Sequence, residues 1–323
     1  MNKHLTLIGA ALALTTMSLA ASAQDAWPNK PVTMIIGFSA GGSTDIGARM
    51  VGSALATELG VPVVAENRTG GSGQVGYNAM LASAPDGYTF STISASAIVG
   101  PIDPSIEAPY TKDSFAPIAR VVFDPNVIAV RADSPWQSLE DVLNAAKAAP
   151  GTITISQVGP TGGDALMRVL LEEASGAKFA TVSYPDGATT VTTAVLAGDL
   201  DVMVANVGDV VEFEEAGQIR TLAVASEVRS PFLEAVPTLM EQGYDVVVGS
   251  SRGFAFPAGT PDDIVNKVSS AIGKIMQDPA FVAQMEAASL QAAYMDAAEY
   301  KAFWDSETAL WQKHIDALLS QAQ

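Results

Sequence analysis

The chain has 323 residues, 35 acidic against 17 basic side chains, a formal net charge of −18 and no cysteine, which excludes a disulfide-stapled scaffold, thiolate zinc sites and cysteine nucleophiles. Hydrophobic residues make up 48% and charged ones 16%, so the chain can bury a full core, and its length predicts two domains of roughly 100–150 residues each. So acidic a chain repels phosphate backbones and holds no Lys/Arg cluster to offset this, so no nucleic-acid partner is expected.

Residues 1–23 carry Lys3 and His4, an apolar run from Leu5 to Ala21, and the small-residue pattern Ala21-Ser22-Ala23. This predicts a cleavable secretory signal ending at Ala23 rather than a membrane anchor, because Thr15, Thr16 and Ser18 interrupt the run. Removing 23 of the 323 residues leaves 300, with 16 basic and 35 acidic side chains and a charge of −19. Beyond residue 23 no run reaches the roughly 18 apolar residues a membrane helix needs, and no cysteine is present to carry a lipid. A free periplasmic product of a Gram-negative cell is expected.

Strand-like and helix-like segments then alternate: Val32–Phe38, Ile46–Leu59, Val61–Glu66, Val75–Ala82, Thr89–Ser94, Val121–Val130 and Leu139–Ala148. The series continues with Ile153–Val158, Asp164–Glu173, Ala180–Tyr184, Thr189–Leu196, Val202–Ala205 and Leu222–Ala225. The strands are near-continuous in Val, Ile and Ala, as parallel strands covered on both faces are, which predicts an α/β fold with parallel sheets. After Phe256, the turn Pro257-Ala258-Gly259-Thr260-Pro261 predicts Thr260 as an N-cap and Pro261 at the first helical position, with two or three helices to the end. The extended segments Val121–Val130 and Gly249–Pro257 bracket a middle stretch of about 120 residues. Two lobes joined by two crossovers are therefore expected, with residues 24–124 and 252–323 in lobe 1, residues 125–251 in lobe 2, and a ligand cleft between them.

Three motifs invite other functions. Gly37-Phe38-Ser39-Ala40-Gly41 fits the G-x-S-x-G nucleophile elbow, which would make Ser39 the nucleophile of an exported serine hydrolase. The only histidine after the signal is His314, on the last helix near Trp311, and no HGGG-type loop precedes Ser39, so His314 is expected to be a surface or interface residue. Gly71-Ser72-Gly73-Gln74-Val75-Gly76 fits G-x-G-x-x-G. However, Asn67-Arg68-Thr69-Gly70 separates it from its strand, and no acidic residue closes a second strand to hold a ribose. A glycine loop letting backbone approach backbone or ligand is the simpler reading. Asn67-Arg68-Thr69 is a glycosylation sequon by its letters alone.

The loop Phe38-Ser39-Ala40-Gly41-Gly42-Ser43-Thr44-Asp45 before a helix leaves backbone N–H groups uncovered where the helix dipole favours an anion, with Ser39 and Ser43 as added donors. Gln157-Val158-Gly159-Pro160-Thr161-Gly162-Gly163-Asp164 repeats the arrangement in the middle segment. Facing each other, the two loops would clamp a small organic acid. Local dipoles in a desolvated cleft would outweigh surface charges lying beyond a Debye length of about 8–10 Å. Asp45, Asp164 and Asp186 are expected as caps or turn residues, since inward carboxylates would repel the ligand. Arg68, Arg168 and Arg252 are candidates for a carboxylate fork or for solvated ion pairs.

Trp27-Pro28 with Lys30-Pro31-Val32, Gly41-Gly42 with Asp45, Glu66-Asn67-Arg68 with Gly70, Pro85-Asp86-Gly87-Tyr88-Thr89 and Phe115-Ala116-Pro117-Ile118 carry a resemblance. So do Leu222-Ala223-Val224 with Arg229, Pro237-Thr238 with Glu241 and Gly243-Tyr244, and Pro257-Ala258-Gly259-Thr260-Pro261. In order and spacing the chain resembles the substrate-binding receptors of tripartite tricarboxylate transporters, also called Bug receptors. The resemblance implies a two-lobed type II periplasmic binding fold that closes over a small organic acid and hands it to membrane subunits of the same system. It also implies a non-enzymatic protein without cofactor or metal, a monomer, and in some relatives a ligand-sensing partner of a sensor kinase. The site residues it implies are Phe38, Ser39, Ala40, Gly41, Gly42, Ser43 and Asp45 from the first loop and Gly159, Thr161, Gly162, Gly163 and Asp164 from the second. Ser94, Ser96, Tyr184 and Asn206 complete that set. The chain departs from the family where Phe38-Ser39-Ala40 replaces a proline-rich loop, Asp164 replaces a histidine, and Tyr184-Pro185-Asp186-Gly187 lacks a lysine. Di- and tricarboxylates, amino acids and aromatic acids such as a phthalate all remain open as ligands.

Overall fold

The computed structural model describes residues 27–104, 106–158, 162–184 and 188–320. The signal at 1–23 and positions Gly159, Thr161 and Asp186 lie outside the described residues. Strands β1 (Val32–Ile36), β2 (Val63–Asn67) and β3 (Thr89–Ser94) alternate with helices α1 (Ser43–Leu59), α2 (Gln74–Leu81) and the short α3 (Ser96–Val99). The long β4 (Phe115–Arg131) leads into α4 (Leu139–Ala148), β5 (Thr154–Gln157), α5 (Gly163–Ser175), β6 (Ala180–Ser183), α6 (Ala188–Ala197), β7 (Met203–Asn206), α7 (Val207–Glu215) and β8 (Ile219–Val224). The chain returns through β9 (Gly249–Pro257) and ends with α8 (Asp262–Met276), α9 (Pro279–Ala287), β10 (Ala292–Met295) and α10 (Ala297–Ser320).

β4 belongs to both halves of the molecule. Its first half pairs with β9 and β10, giving the order β10-β4-β9-β3-β1-β2. Its second half pairs with β7 on one side and β8 on the other, from Asn126↔Asn206 to Arg131↔Ile219. A parallel bridge Ile155↔Val202 brings the β5-β6 pair alongside β7. β1, β2, β3 and β4 run in one direction, while β9 and β10 oppose them; in the second half β5, β6, β7 and β8 run together and β4 opposes them. In each half most strands thus point the same way, and every antiparallel pair among the described strands involves a crossover strand, β4 or β9.

Strand alternation explains why β4 is apolar throughout its second half: Ile128 and Val130 face one core with α4 and α5, while Val127 and Ala129 face another with α6 and α7. The first half has its own cores, in which Met34, Ile36 and Phe90 meet Phe254, Phe256 and Ile272, and Tyr77 and Tyr110 meet Phe115 and Trp304. α10 straddles the two halves. Trp304 packs into the first, whereas Trp311 and Leu318, on the same helix, pack into the second beside α5.

Helix starts differ from expectation in detail. α8 begins at Asp262 with Pro261 as its N-cap residue, and Thr260 Oγ1 donates instead to the Pro257 carbonyl at 2.9 Å. α1 is capped by Gly42 rather than Asp45, without a side-chain bond. Among the described residues no helix is long and apolar enough to cross a membrane.

Candidate functional site

A cavity of about 610 Å³ opens between the halves, at the carboxyl ends of β1 and β3 in one and of β5 and β7 in the other. This is where open α/β sheets place ligands. Phe38, Thr44, Ser94 and Ser96 line it from the first half, Gly162, Gly163 and Asn206 from the second, and Ser250, Ser251 and Arg252 from the crossover strand β9. The first turns of α1 and α5 therefore meet the same cavity. Both helices begin with an extended glycine, Gly42 (φ −77°, ψ 163°) and Gly162 (φ −82°, ψ 160°), and neither has a side-chain cap. Glycine at these positions leaves the N–H end of each helix open to an anion.

Of the two roles expected for the acidic residues at those helix starts, cap or turn residue, Asp45 and Asp164 take the second and lock the loops. Asp45, buried in the first turn of α1, accepts from Gly41 N–H at 2.9 Å, Arg49 Nε at 2.9 Å and Asn67 Nδ2 at 2.8 Å. Burial disfavours its charge, but these bonds outweigh burial and hold the carboxyl below its ordinary value. Asn67 also donates to the Phe38 carbonyl at 3.0 Å and accepts from Arg49 at 2.8 Å, so the sequon asparagine is a structural clamp on the first loop. In the second half the Asp164 carboxylate accepts from Val158 N–H, and burial pushes its pKa up despite that bond and the nearby Arg168. Neither Asp45 nor Asp164 lines the cavity.

The structure brings only part of the expected set together. Ser39, Ala40, Gly41, Gly42 and Ser43 form an exposed turn, with Gly42 N–H donating to the Ser39 carbonyl at 3.3 Å, and do not line the cavity; Thr44 takes that place because the helix already starts at Ser43. Tyr184 packs against the core under α6 and α7 instead. Ser94 and Ser96 do line the cavity, in a hydroxyl cluster: Tyr77 Oη lies 2.9 Å from Ser94 Oγ and 3.0 Å from Ser96 Oγ, and Ser96 donates to the Ser72 carbonyl at 2.7 Å.

That last bond reaches a segment absent from the expected set. Gly71, Ser72 and Gln74 line the cavity, and Ser72 holds a left-handed φ of 53°. The G-x-G-x-x-G pattern serves close backbone approach here: a Cβ on Gly76 would sit 2.8 Å from Gly37 Cα. The signal for this segment was visible in the glycines themselves. Asn126 and Ser250 carried none, because each lies in an extended run whose pairing decides which atoms face the cavity. Asn126 Nδ2 donates to the Ala205 carbonyl at 3.2 Å, and Gly163 leaves room for its Oδ1, since a Cβ there would approach to 2.9 Å.

Of the arginine candidates, Arg68 pairs with Glu66 on the surface at 3.0 Å. Arg168 is buried inside the second half, 3.6 Å from Glu172 and donating to Gln157 Oε1 at 3.2 Å. Arg252 alone reaches the cavity, and it is the only cation among the described lining residues. Glu307, from α10, is the one carboxyl among the described lining residues; burial pushes its pKa up, against Trp311 and Arg120.

Among the described residues no hydrogen bond joins Ser39 to His314, the pair a hydrolase built on the G-x-S-x-G motif would use. Ser39 is exposed in its turn, whereas His314 is buried, not at the surface, with Nδ1 3.3 Å from Glu173 on α5. Among the described residues no group of three or more His, Asp or Glu is arranged to hold a metal ion.

An open cavity between two α/β halves linked by paired crossover strands defines a two-lobed binding protein of the type II periplasmic class. The chain belongs to the tripartite tricarboxylate transporter family receptors, whose family model matches residues 47–319. Protein BugT of Bordetella pertussis is 33% identical over 288 residues, 87% of each chain. A TctC solute-binding protein from Polaromonas superposes with a TM-score of 0.82 at 29% identity, covering 90% of this chain and 99% of that one. MatC from Rhodopseudomonas palustris, solved with bound malate, shares the fold with a TM-score of 0.67 at 22% identity, covering 90% of this chain and 100% of that one.

Proposed function

We propose that this chain is a periplasmic receptor that captures a small organic carboxylate in the cavity between its halves and delivers it to membrane subunits of a tripartite transporter. The observation that carries this reading is the convergence of two helix starts without side-chain caps, from opposite halves, on one cavity whose single cation among the described lining residues is Arg252. The binding set is Phe38, Thr44, Ser72, Ser94, Ser96, Gly162, Gly163, Asn206 and Arg252. Residues 24–124 and 252–323 act as one lobe and 125–251 as the other, hinged at β4 and β9, with export directed by the signal at 1–23. Malate, bound in the MatC structure, is an acid of this class: a small dianion whose charge the helix-start N–H groups and Arg252 of this cavity would meet, with its hydroxyl left to the serines and Asn206.

Isothermal titration of the chain lacking residues 1–23 against succinate, malate, citrate, adipate and phthalate tests the proposal. One-to-one binding of at least one of these acids is expected. No heat with any of them, from folded protein, contradicts it.

A further inference from the structure

Arg252 lies on β9 in register with Ser94 of β3 and Val122 of β4, at the crossover between the halves. Its guanidinium makes one hydrogen-bonded ion pair among the described residues, with Nη2 3.5 Å from Asp124 Oδ2, and its charge also acts on Asp209 of α7. That is well beyond the roughly 2.7–2.9 Å of a strong charge-assisted bond. Asp124 is itself held like a bound anion. Its Oδ1 accepts from Gly208 N–H at 3.3 Å in the first turn of α7, and its backbone carbonyl accepts from Asn206 Nδ2 at 2.6 Å. The protein thus places one of its own carboxylates beside the only cation among the described lining residues, at a helix start and on a crossover strand.

We propose that Arg252 is the carboxylate anchor of the cavity and that Asp124 is its internal competitor, so that an incoming carboxylate takes Arg252 and leaves Asp124 to bind a proton from solvent. The inference rests on the carboxylate-receptor reading above. The charged groups acting on Asp124 are Arg252 from β9 and Asp209 from α7. Burial already pushes the Asp124 carboxyl above its ordinary value, Arg252 is the largest influence opposing that, and Asp209 adds to it. Drawing Arg252 towards a ligand removes the largest opposition and leaves the Gly208 N–H bond alone to hold the charge of a buried carboxylate beside a second acid, an arrangement that favours protonation. The balance is simple: the ligand replaces one carboxylate at the guanidinium, and the displaced carboxylate gains one H⁺.

Titrations of the same five acids into wild type, Arg252→Gln and Asp124→Asn, in buffers of different ionisation heat between about pH 6 and 8, separate the roles. Arg252→Gln should weaken binding about tenfold or more, the scale of a lost charge-assisted bond. Asp124→Asn should tighten it several-fold and remove the buffer-dependent heat that wild type shows. Unchanged affinity in Arg252→Gln overturns the anchor, and weaker binding in Asp124→Asn overturns the competitor. Should Asp124→Asn fail to fold, buffer-independent heat in wild type decides against proton uptake. If wild type binds none of the five acids, the receptor reading fails and this inference with it; binding that ignores Arg252→Gln sinks this inference alone.

Discussion

Asp45 shows how a residue that looks like a ligand contact can be spent on holding the contact's frame. Its two oxygens take bonds from Gly41 N–H, Arg49 and Asn67, so no acceptor capacity is directed at the cavity and the first loop keeps one shape. Because its folded pKa is lowered, its stabilisation is fully present above the unfolded carboxyl value and is lost as pH falls through the lowered one. Asp45→Asn should cost about 1–3 kcal/mol at neutral pH, and the gap to wild type should shrink below about pH 4. Urea unfolding at both pH values measures this; a gap that is constant with pH would contradict it. Asp124, Asp164 and Asp209 carry the opposite sign: burial raises each pKa, so each subtracts stability at neutral pH that returns as pH falls through the raised value. Arg168 shows a different outcome, an arginine whose charge is met inside the second half by Glu172, so sequence type alone did not tell it from Arg252.

At the scale of elements, local chemistry was legible wherever it was strong. β3, α4 and β9 fall on the segments their patterns predict, because Thr89–Ser94 and Gly249–Pro257 are bounded by turn glycine and proline and Leu139–Ala148 starts with a Ser138–Asp141 capping box. β10 escaped, since Ala292–Met295 has little strand propensity and is held in place by β4. α7 escaped although Asn206 and Asp209 form a capping box, because nine residues rich in Val and Glu also fit a strand end. In the site, the glycine-rich starts of α1 and α5 were legible, whereas Asn126 and Ser250 depend on β4 and β9 register. The glycines of α2 give a test at this scale. Gly76→Ala places a methyl against the Gly37 backbone, which cannot swing aside, so a loss of about 1–3 kcal/mol is expected. An unchanged urea midpoint would show that β1 and α2 are not packed this closely.

For the whole molecule, the two halves are joined by β4, β9 and α10, so the closure proposed above would have to bend strands whose residues also line the cavity. α10 anchors Trp304 in one core and Trp311 in the other and adds Glu307 and Trp311 to the cavity lining. The acidic net charge does not oppose an anionic ligand, since among the described residues the cavity presents helix starts, hydroxyls and one guanidinium against a single carboxyl, Glu307, whose pKa burial raises. A crystal structure of the chain lacking residues 1–23, grown with the tightest-binding acid, tests the central claim most directly. The account predicts one ligand enclosed between the halves, with carboxylate oxygens at the starts of both α1 and α5. Density for the acid on only one half, or outside the cavity, would contradict it.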